Sequence, residues 1–107
     1  MDPHDHLPLA PRDLLILAVL AEGPLHGYGL IKAVEARSQS GVLLDPANLY
    51  RVLRRMTGLG WIRAVEGPGD GRRRTYEIAP DGRTVLRAEL TRLEHLLEQA
   101  RPAVAGS

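Results

Sequence analysis

Apolar residues recur along this chain in two rhythms, and the switches between them predict its elements. From Pro11 to Glu22 the side chains of Leu14, Leu15, Ile16, Leu17, Val19 and Leu20 surround the axis on almost every side. That pattern predicts a helix buried on most faces. Pro11 suits a first helical position and Gly23-Pro24 ends the run, but Ala10 supplies no side-chain cap. Leu30, Ile31 and Val34 take the spacing of a core stripe in a second helix, Gly27 to Arg37, which His26 precedes as a capping or packing residue. Ser38 to Gly41 reads as a loop and Val42-Leu43-Leu44 as a candidate short strand. Asp45-Pro46 is the strongest helix start in the sequence. The carboxylate caps free amides, the proline presets φ, and the negative charge suits the positive helix end. That third helix runs to about Leu59 and stops at Gly60.

Trp61 to Glu66 and Arg72 to Ile78 read as two strands joined by the hairpin tip Gly67-Pro68-Gly69-Asp70-Gly71. Pro80-Asp81-Gly82 opens a last helix, about Asp81 to Gln99. Along it Leu86, Leu90, Leu93 and Leu97 repeat at coiled-coil-like steps, with Arg87, Glu89, Arg92, Glu94 and Glu98 clothing the rest. The chain is therefore expected to be mainly α with a small β-hairpin: a winged helix-turn-helix plus a C-terminal dimerisation helix. The expected divisions are a flexible, unpacked arm over residues 1–10, the winged-helix unit over 11–79, the dimerisation helix over 80–100 and a tail over 101–107.

Composition narrows the chemistry. A chain of 107 residues with 44% apolar and 25% charged residues has the length and balance for one globular core. There is no Cys, which excludes disulfides, thiolate nucleophiles and Cys-ligated metals. The longest apolar run, Leu14 to Ala21, is too short to span a membrane, and no basic, apolar leader opens the chain, so a cytoplasmic protein is expected. His4 and His6 have no third ligand nearby, and His26 and His95 are isolated. With no HExxH, GxSxG or P-loop, no catalytic residue, metal or cofactor is expected.

Charge changes the picture further. The net charge is only +1, yet residues 45–76 hold seven arginines against three acids. Six of them lie on the third helix or at the root of the hairpin. On the helix wheel Leu49, Val52, Leu53 and Met56 fall on one side. Ala47, Asn48, Arg51, Arg54 and Arg55 fall on the other, with Tyr50 on the flank. A helix fits the DNA major groove, where Asn pairs with adenine and Arg with guanine or phosphate. Asn48 and Arg51, near the N-terminus, are expected to contact bases, and Arg54 and Arg55 to hold phosphates. Arg72, Arg73 and Arg74 at the root of the hairpin are expected to grip the flanking backbone or minor groove. The leucine seam suits a homodimer, whose paired helices would read half-sites one helical turn apart. The alternative is a winged helix that binds an acidic protein partner through the same basic face.

Several segments, in order, resemble the PadR family of bacterial transcriptional regulators. They are Leu25-His26-Gly27-Tyr28-Gly29-Leu30-Ile31, Leu49-Tyr50-Arg51-Val52-Leu53-Arg54-Arg55-Met56, Leu59-Gly60-Trp61-Ile62, Arg73-Arg74-Thr75-Tyr76-Glu77-Ile78 and Pro80-Asp81-Gly82-Arg83. The resemblance covers about residues 9–99, and its specificity lies in the combination. It implies a homodimeric repressor on a palindromic operator of double-stranded DNA, released in some members by a small aromatic effector. It implies a dimer made by the last helix with part of the first, hence Leu14 and Leu17 beside Leu86, Leu90, Leu93 and Leu97. It also implies that Tyr28, Tyr50 and Tyr76 lie near the DNA-facing surface. The chain departs from the family in having Arg51 where a Pro is common and Ala10 and Ala79 where caps are common. It has no aromatic after Tyr76, where some members stack their ligands, and Trp61 reads as a core or dimer-packing residue.

Overall fold

The computed structural model describes residues 2–66 and 74–106. After a 3-10 turn at Pro3–His6, the elements are α1 (Pro11–Glu22), β1 (Leu25–His26), α2 (Gly27–Arg37), α3 (Pro46–Gly58), β2 (Ile62–Glu66), β3 (Arg74–Ile78), α4 (Pro80–Ala100) and α5 (Pro102–Ala105). Local chemistry accounts for most of these limits. Asp45 accepts a hydrogen bond from the Asn48 amide at 2.9 Å, and His26 Nδ1 accepts one from the Gly29 amide at 3.1 Å. Ala10 and Ala79 make no side-chain cap. At α4 the Ala79 amide donates to the Trp61 carbonyl at 2.8 Å, which ties the start of the helix to the residue before β2. Gly60, with φ +79°, takes the left-handed turn that carries the chain from α3 into β2.

The sheet has three antiparallel strands in the order β1-β3-β2, with Leu25 opposite Tyr76 and Ile62 opposite Ile78. The expected strand at Val42–Leu44 does not form. There the Ser38 hydroxyl accepts from the Val42 amide at 3.0 Å and donates to the Val42 carbonyl at 3.2 Å, so the backbone of Val42 is satisfied without a ladder. The third strand is instead Leu25–His26, a pair left extended between Pro24 and the first residue of α2, which adds to the other side of β3.

One apolar cluster joins all the helices from α1 to α4 with the sheet: Ile16, Leu17 and Leu20 meet Leu30 and Val34, Leu49, Leu53 and Met56, Trp61 and Ile62, and Val85 and Leu86. Since Val85 and Leu86 belong to it, the winged-helix unit does not end at residue 79 but continues through the first turns of α4. Gly82 makes that docking achievable: a Cβ there would lie 2.1 Å from the Trp61 carbonyl oxygen.

The N-terminal residues correct a second expectation. The described part of the expected arm, residues 2–10, is not unpacked, for Leu7 and Leu9 pack against the core and the His6 ring meets Trp61 edge-on, centroids 5.2 Å apart. The Leu9 amide donates to Glu89 Oε2 at 2.6 Å. Glu89, expected among the solvent-facing residues of α4, is buried because it binds both that amide and Arg92 Nε. The expected tail contains the short, exposed α5.

The leucine seam divides. Leu86 is buried, as is Leu17, so neither can face a partner chain; both fill the core of a single subunit. Leu14 is half-buried against that core, and Leu93 is half-buried. Leu90, Leu96 and Leu97 remain exposed on the distal part of α4. That part stands away from the body. The radius of gyration is 15.4 Å, against about 13 Å for a compact chain of this length, and the longest dimension is 56 Å.

Candidate nucleic-acid interface

On α3 the division seen in the sequence is realised: Leu49, Val52, Leu53 and Met56 are buried, while Ala47, Tyr50, Arg51, Arg54 and Arg55 are exposed and Asn48 is half-buried. The exposed side is internally ordered. Asp45 Oδ2 accepts from Asn48 Nδ2 at 2.7 Å, and Asn48 Oδ1 accepts from Arg51 Nη2 at 2.7 Å. This chain orients the Asn48 amide and holds the Arg51 guanidinium beside it. The bond from the Asn48 amide, joined by the Asn48 side chain and by Arg51, holds the Asp45 carboxyl below the usual carboxylate range. Arg54 makes no ion pair or hydrogen bond among the described residues.

Arg55 behaves differently. Its Nη2 donates to Asp13 Oδ2 of α1, so its guanidinium is tied to the protein body instead of standing free for phosphate as expected. A helix wheel could not show this, because the partner lies on another helix.

Tyr50 joins α3 to the start of α2. Its hydroxyl lies so close to Gly27 that a Cβ there would approach it to 3.0 Å, which is where the glycine is needed. Next to it Tyr28 is 65% exposed, with Lys32 Nζ 5.6 Å from its ring centroid. Lys32, the one lysine in the sequence, was not singled out as a site residue, although its i+4 spacing from Tyr28 was a usable signal.

Tyr76 is not on this surface. It is buried, opposite Leu25 on one side and Ala64 on the other, and the alternation with buried Ile78 turns it inward. Arg74 is exposed at the start of β3, while Arg72 and Arg73 lie outside the described residues. Arg63 is paired across the strands with Glu77. Among the described residues, no group of three His, Asp or Glu could hold a metal ion, and no helix is long and apolar enough to cross a membrane.

The arrangement is thus a capped amphipathic helix with a cationic, amide-bearing outer face, flanked by exposed tyrosines and a wing-root arginine. Known proteins share this fold. Residues 16–88 match the model of the transcriptional regulator PadR-like family. A curated protein, an uncharacterized 37.1 kDa transposon protein of Streptomyces fradiae, is 40% identical over 76 residues; these are 71% of this chain but 21% of that protein, so the chain spans about a fifth of its length. Among solved structures, a transcriptional regulator from Clostridium thermocellum superposes with a TM-score of 0.71 at 26% identity, over 86% of this chain and 91% of that one. PadR of Bacillus subtilis, solved in complex with operator DNA, shares the fold with a TM-score of 0.67 at 20% identity, over 78% of this chain and 47% of that one.

Proposed function

The chain belongs to the PadR-like family of transcriptional regulators, and from that premise we propose that it is a dimeric, sequence-specific repressor that reads double-stranded DNA with α3. The observation that carries this reading is the Asp45–Asn48–Arg51 chain on the exposed side of α3, with Arg54, unpaired among the described residues, beside it. A guanidinium and an amide held in fixed relation near a helix N-terminus suit base edges in the major groove. Arg54, one turn from Arg51, and Arg74 at the wing root suit phosphates. Tyr28, Lys32 and Tyr50 extend the same surface, and Ala47 allows close approach of the helix to the groove floor.

The dimer would form on the distal part of α4, where Leu90, Leu93 and Leu97 continue beyond the core and Leu96 adds to the exposed apolar surface. Two copies related by a two-fold axis would call for a palindromic operator. Release by a small aromatic effector has room in a groove of about 500 Å³ between the N-terminal turn and α4, bordered by His4, Arg87, Arg92 and His95.

Fluorescence anisotropy with a duplex from the promoter upstream of the chain's own coding sequence tests the reading. Binding should be steeply salt-dependent, falling roughly a thousandfold between low and moderate salt if about six phosphates are contacted. Arg51→Ala should reduce discrimination between operator and random duplex by about 1–3 kcal/mol, whereas Arg54→Ala should weaken both alike. Absence of binding at low salt would contradict the proposal.

A further inference from the structure

Adjacent arginines on α3 have opposite fates, and the difference lies in α1. Arg54 pairs with none of the described residues, whereas Arg55 reaches Asp13, whose side chain is almost wholly buried. Both oxygens of that carboxylate are engaged: Oδ1 by Arg12 Nε at 3.1 Å and Oδ2 by Arg55 Nη2. A buried carboxylate left without partners is strongly unfavourable, so Asp13 holds its guanidinium partners firmly. Arg55 also lies at i+4 from Arg51, on the same side of the helix. Released, it would stand one turn beyond Arg51 with its donors free.

We infer that Asp13 is a positioning residue for DNA recognition: it withdraws Arg55 from the DNA-contacting set and sets how many phosphates α3 can engage. The inference rests on the DNA-reading function proposed above and adds to it a specificity determinant that touches no DNA. Phosphate contacts strengthen binding to every sequence alike, while base contacts favour the operator. Holding Arg55 back therefore lowers affinity for random DNA without removing a base contact, and so widens the gap between operator and background. The same ion pair fixes α3 against the N-terminal turn of α1, so the reading helix is anchored at its far end as well as through its apolar side.

The test is the slope, taken as a magnitude, of the fall of log K with log salt concentration, measured by anisotropy on promoter and random duplexes. Arg54→Ala should lower the slope by about 0.9, the loss of one phosphate contact. Arg55→Ala should leave it unchanged. Asp13→Asn, which keeps the shape and removes the charge, should raise it by about 0.9 and tighten random-duplex binding several-fold. Asp13→Asn combined with Arg55→Ala should restore the wild-type slope. A merely structural Asp13 would change stability and leave the slope alone. If Asp13→Asn fails to fold by circular dichroism, Arg55→Ala decides alone, because Asp13 keeps Arg12 in that variant. A slope lowered by Arg55→Ala as much as by Arg54→Ala overturns the inference while the DNA reading stands; failure of the wild-type protein to bind any duplex overturns both.

Discussion

A charged side chain's role in this protein depends on its neighbours more than on its type. Glu89 and Asp13 sit inside, each bound to an arginine, while Asp45 sits outside and orders Asn48. The Glu89 carboxyl is held below the usual range chiefly by the bond from Arg92, with the Leu9 amide assisting against the cost of burial. A carboxyl with a lowered folded-state pKa stabilises above its unfolded value, and that contribution is lost as pH falls through the folded one. Stability should therefore decline on acidification below about pH 4–5. Glu89→Gln should cost about 1–3 kcal/mol at neutral pH and flatten the acid limb in urea melts between neutral and acid pH. Asp45, lowered in the same direction, contributes to the slope that remains. Identical acid limbs in the two proteins would contradict this role of Glu89. None of these pairings is visible in the sequence, where Glu89 and Asp13 look like ordinary surface acids; Tyr76, expected near the DNA-facing surface, is buried, and its alternation with Ile78 was the signal that outweighs the resemblance.

At the scale of elements, legibility follows the range of the forces involved. The limits of α2 and α3 could be read because His26, Asp45 and Gly60 act within a few residues. The two-residue β1 could not, because it exists only through its pairing with β3, some fifty residues away along the chain. The docking of α4 through Gly82 was equally hidden. Two glycine substitutions should separate local from tertiary effects. Gly58→Ala, with no atom within 4 Å of the new Cβ, should stabilise α3 by up to about 1 kcal/mol. Gly82→Ala gains the same helix propensity but drives a Cβ into the Trp61 carbonyl, and should destabilise by about 3 kcal/mol. Thermal unfolding of both variants checks the opposite signs.

For the whole molecule, the elongation set by α4 is the feature that asks for a partner. Its first turns complete the core, and its distal turns expose Leu90, Leu96 and Leu97. Leu90→Asp with Leu93→Asp should give a folded monomer on sedimentation and abolish operator binding; an unchanged dimer would remove α4 from the proposed interface. The most direct test of the central claim uses the absence of cysteine from the sequence. Ala47→Cys places a single thiol on the exposed side of α3, to which an iron chelate that cleaves DNA can be attached. Cleavage of the promoter duplex should fall in two clusters about one helical turn apart, centred on the major groove. Cleavage spread evenly along a duplex that the protein still binds would show that α3 does not enter the groove.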